Sequence, residues 1–265
     1  VSDPRPIGVF DSGIGGLTVL AAMQRCLPGE RYIYLGDTAR LPYGTKSAET
    51  VVRYGLRAAS FLAERGIKML VVACNTASAA ALPALEEAMD VPVVGVVTPG
   101  ARVAAAGTAG RVGVIGTEST ITSGAYLRAL HAVRPEVEVV ARACPLFVPL
   151  VEEGWFDHPV TREVARVYLE PFAGGRVDTL ILGCTHYPLL RGAISEAVGA
   201  GVRLVDSAEA VAGEVVEILG RGGMTSPTGG GLQLLVTDAA ARVTRIARLI
   251  LPEVTVDLEL VDLPD

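Results

Sequence analysis

Short continuous runs of Val, Ile and Leu alternate with longer helical stretches along the whole chain, and this alternation limits the fold more than any other feature. The runs are "IGVF" (7–10), "RYIYLG" (31–36), "KMLVVA" (68–73), "VPVVGVV" (91–97), "RVGVIG" (111–116), "EVEVVA" (136–141), "TLILG" (179–183), "VRLVD" (202–206) and "LQLLVT" (232–237). Apolar runs without polar alternation mark strands buried on both faces. Between them, helical stretches start near Gly16, cover about Ser47 to Arg65, and recur in "TASAAALPALEEAM", "GARVAAAG", "STITSGAYLRALHAV" and from about Thr161. Strand and helix in alternation predict an α/β fold with mainly parallel sheets and helices on both faces. Nine strands crowd one open sheet, so two smaller sheets are expected.

Two segments support a pair of similar units. "VVACNTASAA" (71–80) and "TLILGCTHYP" (179–188) each read as strand, cysteine, then polar residues opening a helix. Their cysteines lie 110 residues apart, the span of one α/β domain. The pattern is a weak internal repeat. "RGGMTSPTGGG" (221–231) reads as an exposed loop.

Composition excludes several classes. Half the residues are hydrophobic, which argues against disorder. A net charge of −6 does not favour nucleic acid. No apolar run is long enough to span a membrane, and "VSDPRPIGVF" lacks a signal-peptide pattern, so a cytoplasmic location is expected. Cysteines 26, 74, 144 and 184 form no disulfide framework and are expected as thiols.

Ligands of open α/β sheets bind beyond the carboxyl ends of the strands. Asp11, Cys74 and Cys184 all fall there, in "DSGIGG", "CNTAS" and "CTHYP". Helix N-termini at these points would attract a carboxylate and draw a thiol pKa down from about 8.5 toward neutrality. A lone cysteine after a strand is more often a small buried hydrophobe. That reading is kept for Cys26 and Cys144. Two cysteines in matching positions, followed by Asn75-Thr76 and Thr185-His186, ask for more than packing. Asp11 could serve as a helix N-cap instead. "GDTARLPYGTKS" (36–47) is a polar loop at a strand end, where ligand contacts concentrate. His186 can act as proton partner to Cys184. In "PLVEEG" (149–154), either glutamate could simply face solvent.

Other chemistries lack their signatures. Thr18 stands where a dinucleotide fingerprint needs its third glycine, and neither a P-loop nor a G-x-S-x-G elbow occurs. Cys-x-His offers two ligands only, so no metal is expected. Lys46 and Lys68 are the only lysines, and neither sits in a recognisable pyridoxal-phosphate setting.

Together "GVFDSGIGGLTV", "YLGDTARLPYGTKS", "VVACNTASA", "PVVGVVTPG", "CPLFVPLVEEG" and "LILGCTHYPLL" resemble the glutamate racemases, within the aspartate/glutamate racemase family. The resemblance runs from Ile7 to about Ser207. It implies two similar α/β domains with the active site in the cleft between them, and no cofactor. The first domain would comprise 1–98 with 208–265 and the second 99–207, with crossings near Thr98 and Ser207. It implies interconversion of L- and D-glutamate, with Cys74 acting on the D- and Cys184 on the L-enantiomer. Asp11 would assist Cys74; His186 and Glu152 would assist Cys184, Glu152 being preferred to Glu153 as the first of the pair. Ser12, Tyr43, Gly44, Asn75, Thr76, Thr185, Asp11 and His186 would bind substrate, with Thr117 and Thr120 as further contacts. The D-glutamate would feed peptidoglycan synthesis, and a homodimer is one arrangement the family adopts.

Racemisation removes a proton from one face of the α-carbon and returns one to the other. Two bases on opposite faces solve this directly, one starting as thiolate and one as thiol. Backbone N–H groups can stabilise the enolate-like charge that develops. Two alternatives stay open on sequence alone: a racemase for aspartate or another acidic amino acid, and a two-domain binding protein whose cysteines are inert.

Overall fold

A computed structural model of the 265-residue chain describes residues 2–226, 229–238, 240–251 and 258–263. The nine expected strands are present: β1 (Ile7–Asp11), β2 (Arg31–Gly36), β3 (Met69–Val72), β4 (Val93–Gly95), β5 (Arg111–Gly116), β6 (Glu138–Ala143), β7 (Thr179–Gly183), β8 (Arg203–Asp206) and β9 (Gly231–Val236). A short tenth strand, β10 (Leu258–Leu260), adds to the edge beyond β9. The order is β10-β9-β2-β1-β3-β4 in one sheet and β6-β5-β7-β8 in the other. Every pairing is parallel. The first sheet thus draws on both ends of the chain, the second only on its middle.

The helices are α1 (Leu17–Cys26), α2 (Ala48–Ala63), α3 (Asn75–Ala80), α4 (Leu82–Ala88), α5 (Val97–Gly107), α6 (Glu118–Thr122), α7 (Ala125–Val133), α8 (Phe147–Glu152), α9 (Pro159–Leu169), α10 (Arg191–Val198), α11 (Ser207–Arg221) and α12 (Ala240–Ile250). Each sheet is buried from both sides, as continuous apolar strands require. On the first sheet, Val9, Tyr34 and Val71 pack with α1 and α11, while Phe10, Leu35 and Val72 pack with α2 and α4. On the second, Val112, Val114 and Ile181 meet α5 and α7, and Ile115, Leu180 and Leu182 meet α8, α9 and α10. The edge strands β6, β8 and β10 depart from this, being largely exposed or half-buried. No helix among the described residues is long and apolar enough to cross a membrane.

Several boundaries differ from the sequence reading. The helix expected through "TASAAALPALEEAM" divides at Ala81, because Pro83 cannot donate into a continuing helix. That through "STITSGAYLRALHAV" divides at Gly124, which takes a left-handed φ of +65°. The run at 91–97 gives a strand of three residues, and Val97 already opens α5. The segment after β6, which carries "PLVEEG", forms the short helix α8. The segment 221–231 is largely exposed where described, with 227 and 228 outside the described residues. It is nevertheless anchored: Met224 O accepts from Lys68 Nζ and Ser226 N donates to Glu30 Oε1. Cys144 is buried as expected, but Cys26 is exposed at the end of α1.

Candidate active site

In each sheet the chain reverses its direction of strand addition after the first pair of strands. The first starts at β1, adds β2 on one side, then crosses to β3 on the other; the second starts at β5, adds β6, then crosses to β7. The crevice at such a reversal is where open α/β sheets bind ligands. Asp11 is the last residue of β1, Cys74 follows the end of β3, and Thr117 and Cys184 follow those of β5 and β7. The two crevices share one cavity of about 440 Å³. That size suits a small-molecule site.

Eleven of the thirteen expected site residues line it: Ser12, Tyr43, Gly44, Cys74, Asn75, Thr76, Thr117, Glu152, Cys184, Thr185 and His186. Asp11 and Thr120 do not line the cavity; both are buried in its supporting layer. Leu41, Pro42, Thr45, Glu118, Pro145, Val148 and Pro149 also contribute to the wall. Most of these belong to "LPYGT" and "CPLFVPLVEEG", so the segments were legible while the individual contacts were not.

Cys74 is the N-cap of α3, its sulfur accepting from Ala77 N at 3.4 Å and lying 3.4 Å from Ser12 Oγ. The helix end was expected to lower its pKa. Instead burial, seconded by the charge of Asp11, pushes the Cys74 thiol up to about 12, against hydrogen bonds from Ser12 and Ala77 that pull the other way. Desolvation of a fully enclosed thiolate outweighs a six-residue helix. Asp11 is not the cap of α1, which begins after Gly16. Its carboxylate accepts from Gly13 N at 3.0 Å and from Tyr34 Oη at 3.4 Å, both through Oδ2. Burial raises the Asp11 pKa, with the nearby His186 charge opposing.

On the other side, "CTHYP" opens not into an α-helix but into a 3-10 turn, Tyr187–Leu190. Cys184 Sγ lies 3.8 Å from His186 Nδ1, and His186 Nε2 lies 3.5 Å from Glu152 Oε1. Burial alone would keep the imidazole neutral, but Cys184 and Glu152 outweigh it and raise the His186 pKa to about 10. Glu152 is the last residue of α8, which places it in the wall; Glu153 is outside it.

The polar loop 36–47 is held by a buried anion. Asp37 accepts from Tyr43 Oη at 2.6 Å, Arg40 Nη1 at 2.9 Å and Thr237 Oγ1 at 3.0 Å. Tyr43 and Gly44 are thereby set against the cavity, and Gly44 leaves room for Thr117: a Cβ there would fall 2.7 Å from Thr117 Cβ. Thr117, Thr120 and Thr76 share hydroxyl contacts of 2.9–3.3 Å, joining the two crevices. No three His, Cys, Asp or Glu side chains among the described residues group as metal ligands. Hydroxyls, a charged imidazole and two thiols converge on one cavity, an arrangement suited to holding an acid and moving protons on either side of it.

Comparison with known proteins agrees in sequence and in shape. The family model described as Asp/Glu/hydantoin racemase matches residues 7–215. The chain is 59% identical to the glutamate racemase of Geobacter metallireducens over 245 residues, covering 91% of each. It is similar to the crystal structure of the RacE1 glutamate racemase isoform from Bacillus anthracis, with a TM-score of 0.94, 41% identity and 98% of both chains covered. A glutamate racemase from Francisella tularensis in complex with D-glutamate gives a TM-score of 0.93 at 37% identity, again over 98% of both chains.

Proposed function

The chain belongs to the Asp/Glu/hydantoin racemase family, and we propose that it interconverts L- and D-glutamate by proton transfer between two cysteines, without a cofactor. The observation that carries this reading is the meeting of Cys74 and Cys184, each from the switch point of a different sheet, in one cavity. The substrate is taken from the relatives, whose names are glutamate racemases, one of them in complex with D-glutamate.

Glutamate lies with its α-carbon between the two sulfurs. The thiolate of one cysteine takes the α-proton, leaving an enolate-like carbanion whose charge spreads onto the carboxylate. Backbone N–H groups of the strand-end loops and the hydroxyls of Thr76, Thr117 and Thr185 stabilise that charge. The thiol of the other cysteine then gives its proton to the opposite face, so the two sulfurs exchange roles. Burial keeps Cys74 protonated at neutral pH, which makes it the donor in the L-to-D direction. Cys184 takes the proton of the L-enantiomer beside a charged His186 that Glu152 supports. In the reverse direction Cys74 is the base, and a thiol pushed up to about 12 makes a strong one once deprotonated. Asp11 assists on that side, and Ser12, Tyr43, Gly44 and Asn75 complete the binding groups, with Thr120 behind them. The domains divide near Thr98 and Ser207. The reaction takes place in the cytoplasm and supplies D-glutamate for peptidoglycan.

The test is purified protein with each enantiomer in D₂O and no added pyridoxal phosphate. Both enantiomers racemise and gain deuterium at the α-carbon, and glutamate outpaces aspartate. Full racemisation by both Cys74→Ala and Cys184→Ala would overturn the two-base reading.

A further inference from the structure

Asn75 is the only asparagine in the chain, and it directly follows Cys74. It lines the main cavity together with Cys74 and also a small space of about 10 Å³ walled by Cys184, Thr185 and Ser207. Its side chain is buried and does not stand alone. Tyr126 Oη lies 2.6 Å from Asn75 Oδ1 and 3.2 Å from Ser207 Oγ. These residues come from three elements: Asn75 opens α3, Tyr126 lies on α7 of the second sheet, and Ser207 opens α11, where the chain returns toward the first sheet. All three are at most 5% exposed.

The geometry fixes the direction of the chain of hydrogen bonds. A separation of 2.6 Å is ordinary for O–H···O but short for N–H···O. The atom facing Tyr126 is therefore the amide oxygen, which can only accept. Tyrosine has a single proton to give, and it goes to Asn75. Ser207 must then donate to the Tyr126 oxygen. Bonds aligned this way reinforce one another in a low-dielectric interior. With its oxygen committed, the amide has only its NH₂ group left for the cavity, and that group only donates. A dicarboxylate substrate and a thiolate both accept.

We propose that Tyr126 is a positioning residue: its hydroxyl holds the Asn75 amide in the orientation that presents NH₂, and not oxygen, to an anionic substrate. The proposal rests on the racemase reading for the identity of that anion. Tyr126→Phe keeps the ring in its apolar setting against Ala101 and Leu130 and removes only the donor. Without that donor nothing selects between the two orientations of the amide, and the one that turns its oxygen toward the substrate carboxylate becomes populated.

A single asparagine makes the experiment selective, because protein labelled with [¹⁵N]asparagine shows one side-chain NH₂ pair in an NMR spectrum. In the wild type, saturating L-glutamate shifts that pair. In Tyr126→Phe the pair moves before any ligand is added. kcat/KM then falls by about 10- to 100-fold, the range for a lost hydrogen bond to a charged group. The loss is equal for the two enantiomers and carried mainly by KM. Ser207→Ala, which leaves the Tyr126 donor in place, loses less than about fivefold, the scale of a neutral hydrogen bond. An Asn75 pair unmoved by glutamate in the wild type, or unmoved by Tyr126→Phe, would overturn the proposal. So would Tyr126→Phe with unchanged kcat/KM, or Ser207→Ala as damaging as Tyr126→Phe, which would mean the opposite polarity. A wild type that racemises neither enantiomer sinks the racemase reading instead, while the unliganded NMR arm still tests the contact.

Discussion

Adding one methyl group at Gly15 should disable the site while leaving most of the fold intact. Gly15 lies in the loop after β1, on the first sheet, and faces the loop after β7 on the second. A Cβ built there falls 2.3 Å from Thr185 Oγ1, 2.6 Å from His186 Nδ1 and 2.8 Å from His186 Cε1. Non-bonded heavy atoms keep roughly 3.5 Å apart, so one loop must move by about 1 Å. The Gly15 loop is poorly placed to retreat, because its carbonyl accepts from both the backbone and the hydroxyl of Thr18, at 3.0 and 2.9 Å. The strain therefore falls on Thr185 and His186, which line the cavity beside Cys184. Overpacking of this kind costs about 1–3 kcal/mol of stability. A displacement of about 1 Å among reacting groups costs on the order of 100-fold in rate. The assay is racemisation of each enantiomer followed by circular dichroism, with urea denaturation in parallel. Gly15→Ala should lose about 100-fold in kcat/KM, equally for both enantiomers, since their equilibrium constant is unity. Gly213 is the control: it is exposed in α11, and a Cβ there meets nothing within 4 Å. Gly213→Ala should gain about 0.5–1 kcal/mol with activity unchanged. Wild-type kcat/KM in Gly15→Ala would refute the claim that the two loops meet at van der Waals contact.

Two further outcomes follow from buried charges. Lys68 is fully buried and its ammonium donates to Glu30 Oε2 at 2.6 Å, Met224 O at 2.7 Å and Asp3 O at 2.8 Å. Lys68→Met strands the Glu30 carboxylate and should lose about 3–5 kcal/mol in urea titration, much of it regained in Lys68→Met/Glu30→Gln; equal stability of the single variant and wild type would contradict the buried pair. His186, raised from 6.5 to about 10, should titrate in the free protein near pH 10 by NMR. Because the folded state holds the proton more tightly, this contribution to stability is complete below pH 6.5 and is lost as pH rises through about 10. His186→Gln should flatten that part of the stability curve, and a midpoint at or below 6.5 would show that Cys184 and Glu152 do not hold the charge.

Much of the architecture was readable in the chain. Uninterrupted runs such as "MLVV" and "TLILG" can be buried on both faces only in covered parallel sheets, and the strands formed where those runs lie. Parallel strands carry their ligands at carboxyl ends, so Cys74, Cys184 and Asp11 announced themselves by position. Helix ends and breaks were read less well. Pro83 and Gly124 act locally, but an apolar pattern continues across both and masked them. Strand β10, three residues long and mostly exposed, has no pattern to show.

What only the tertiary structure decided concerns relations between distant residues. Spacing along the chain could not show that Asp37 is held by Thr237, that Gly15 gives way to Thr185, or that Tyr126 orients Asn75. Nor could it give the direction of the Cys74 pKa. A helix N-terminus is a local feature and argues for a lowered value, whereas desolvation depends on everything packed around the sulfur. Local pattern thus determined the strands and the positions of the two thiols. The proton affinities and the orientation of the groups between them are properties of the enclosed space, which exists only when both sheets are in place.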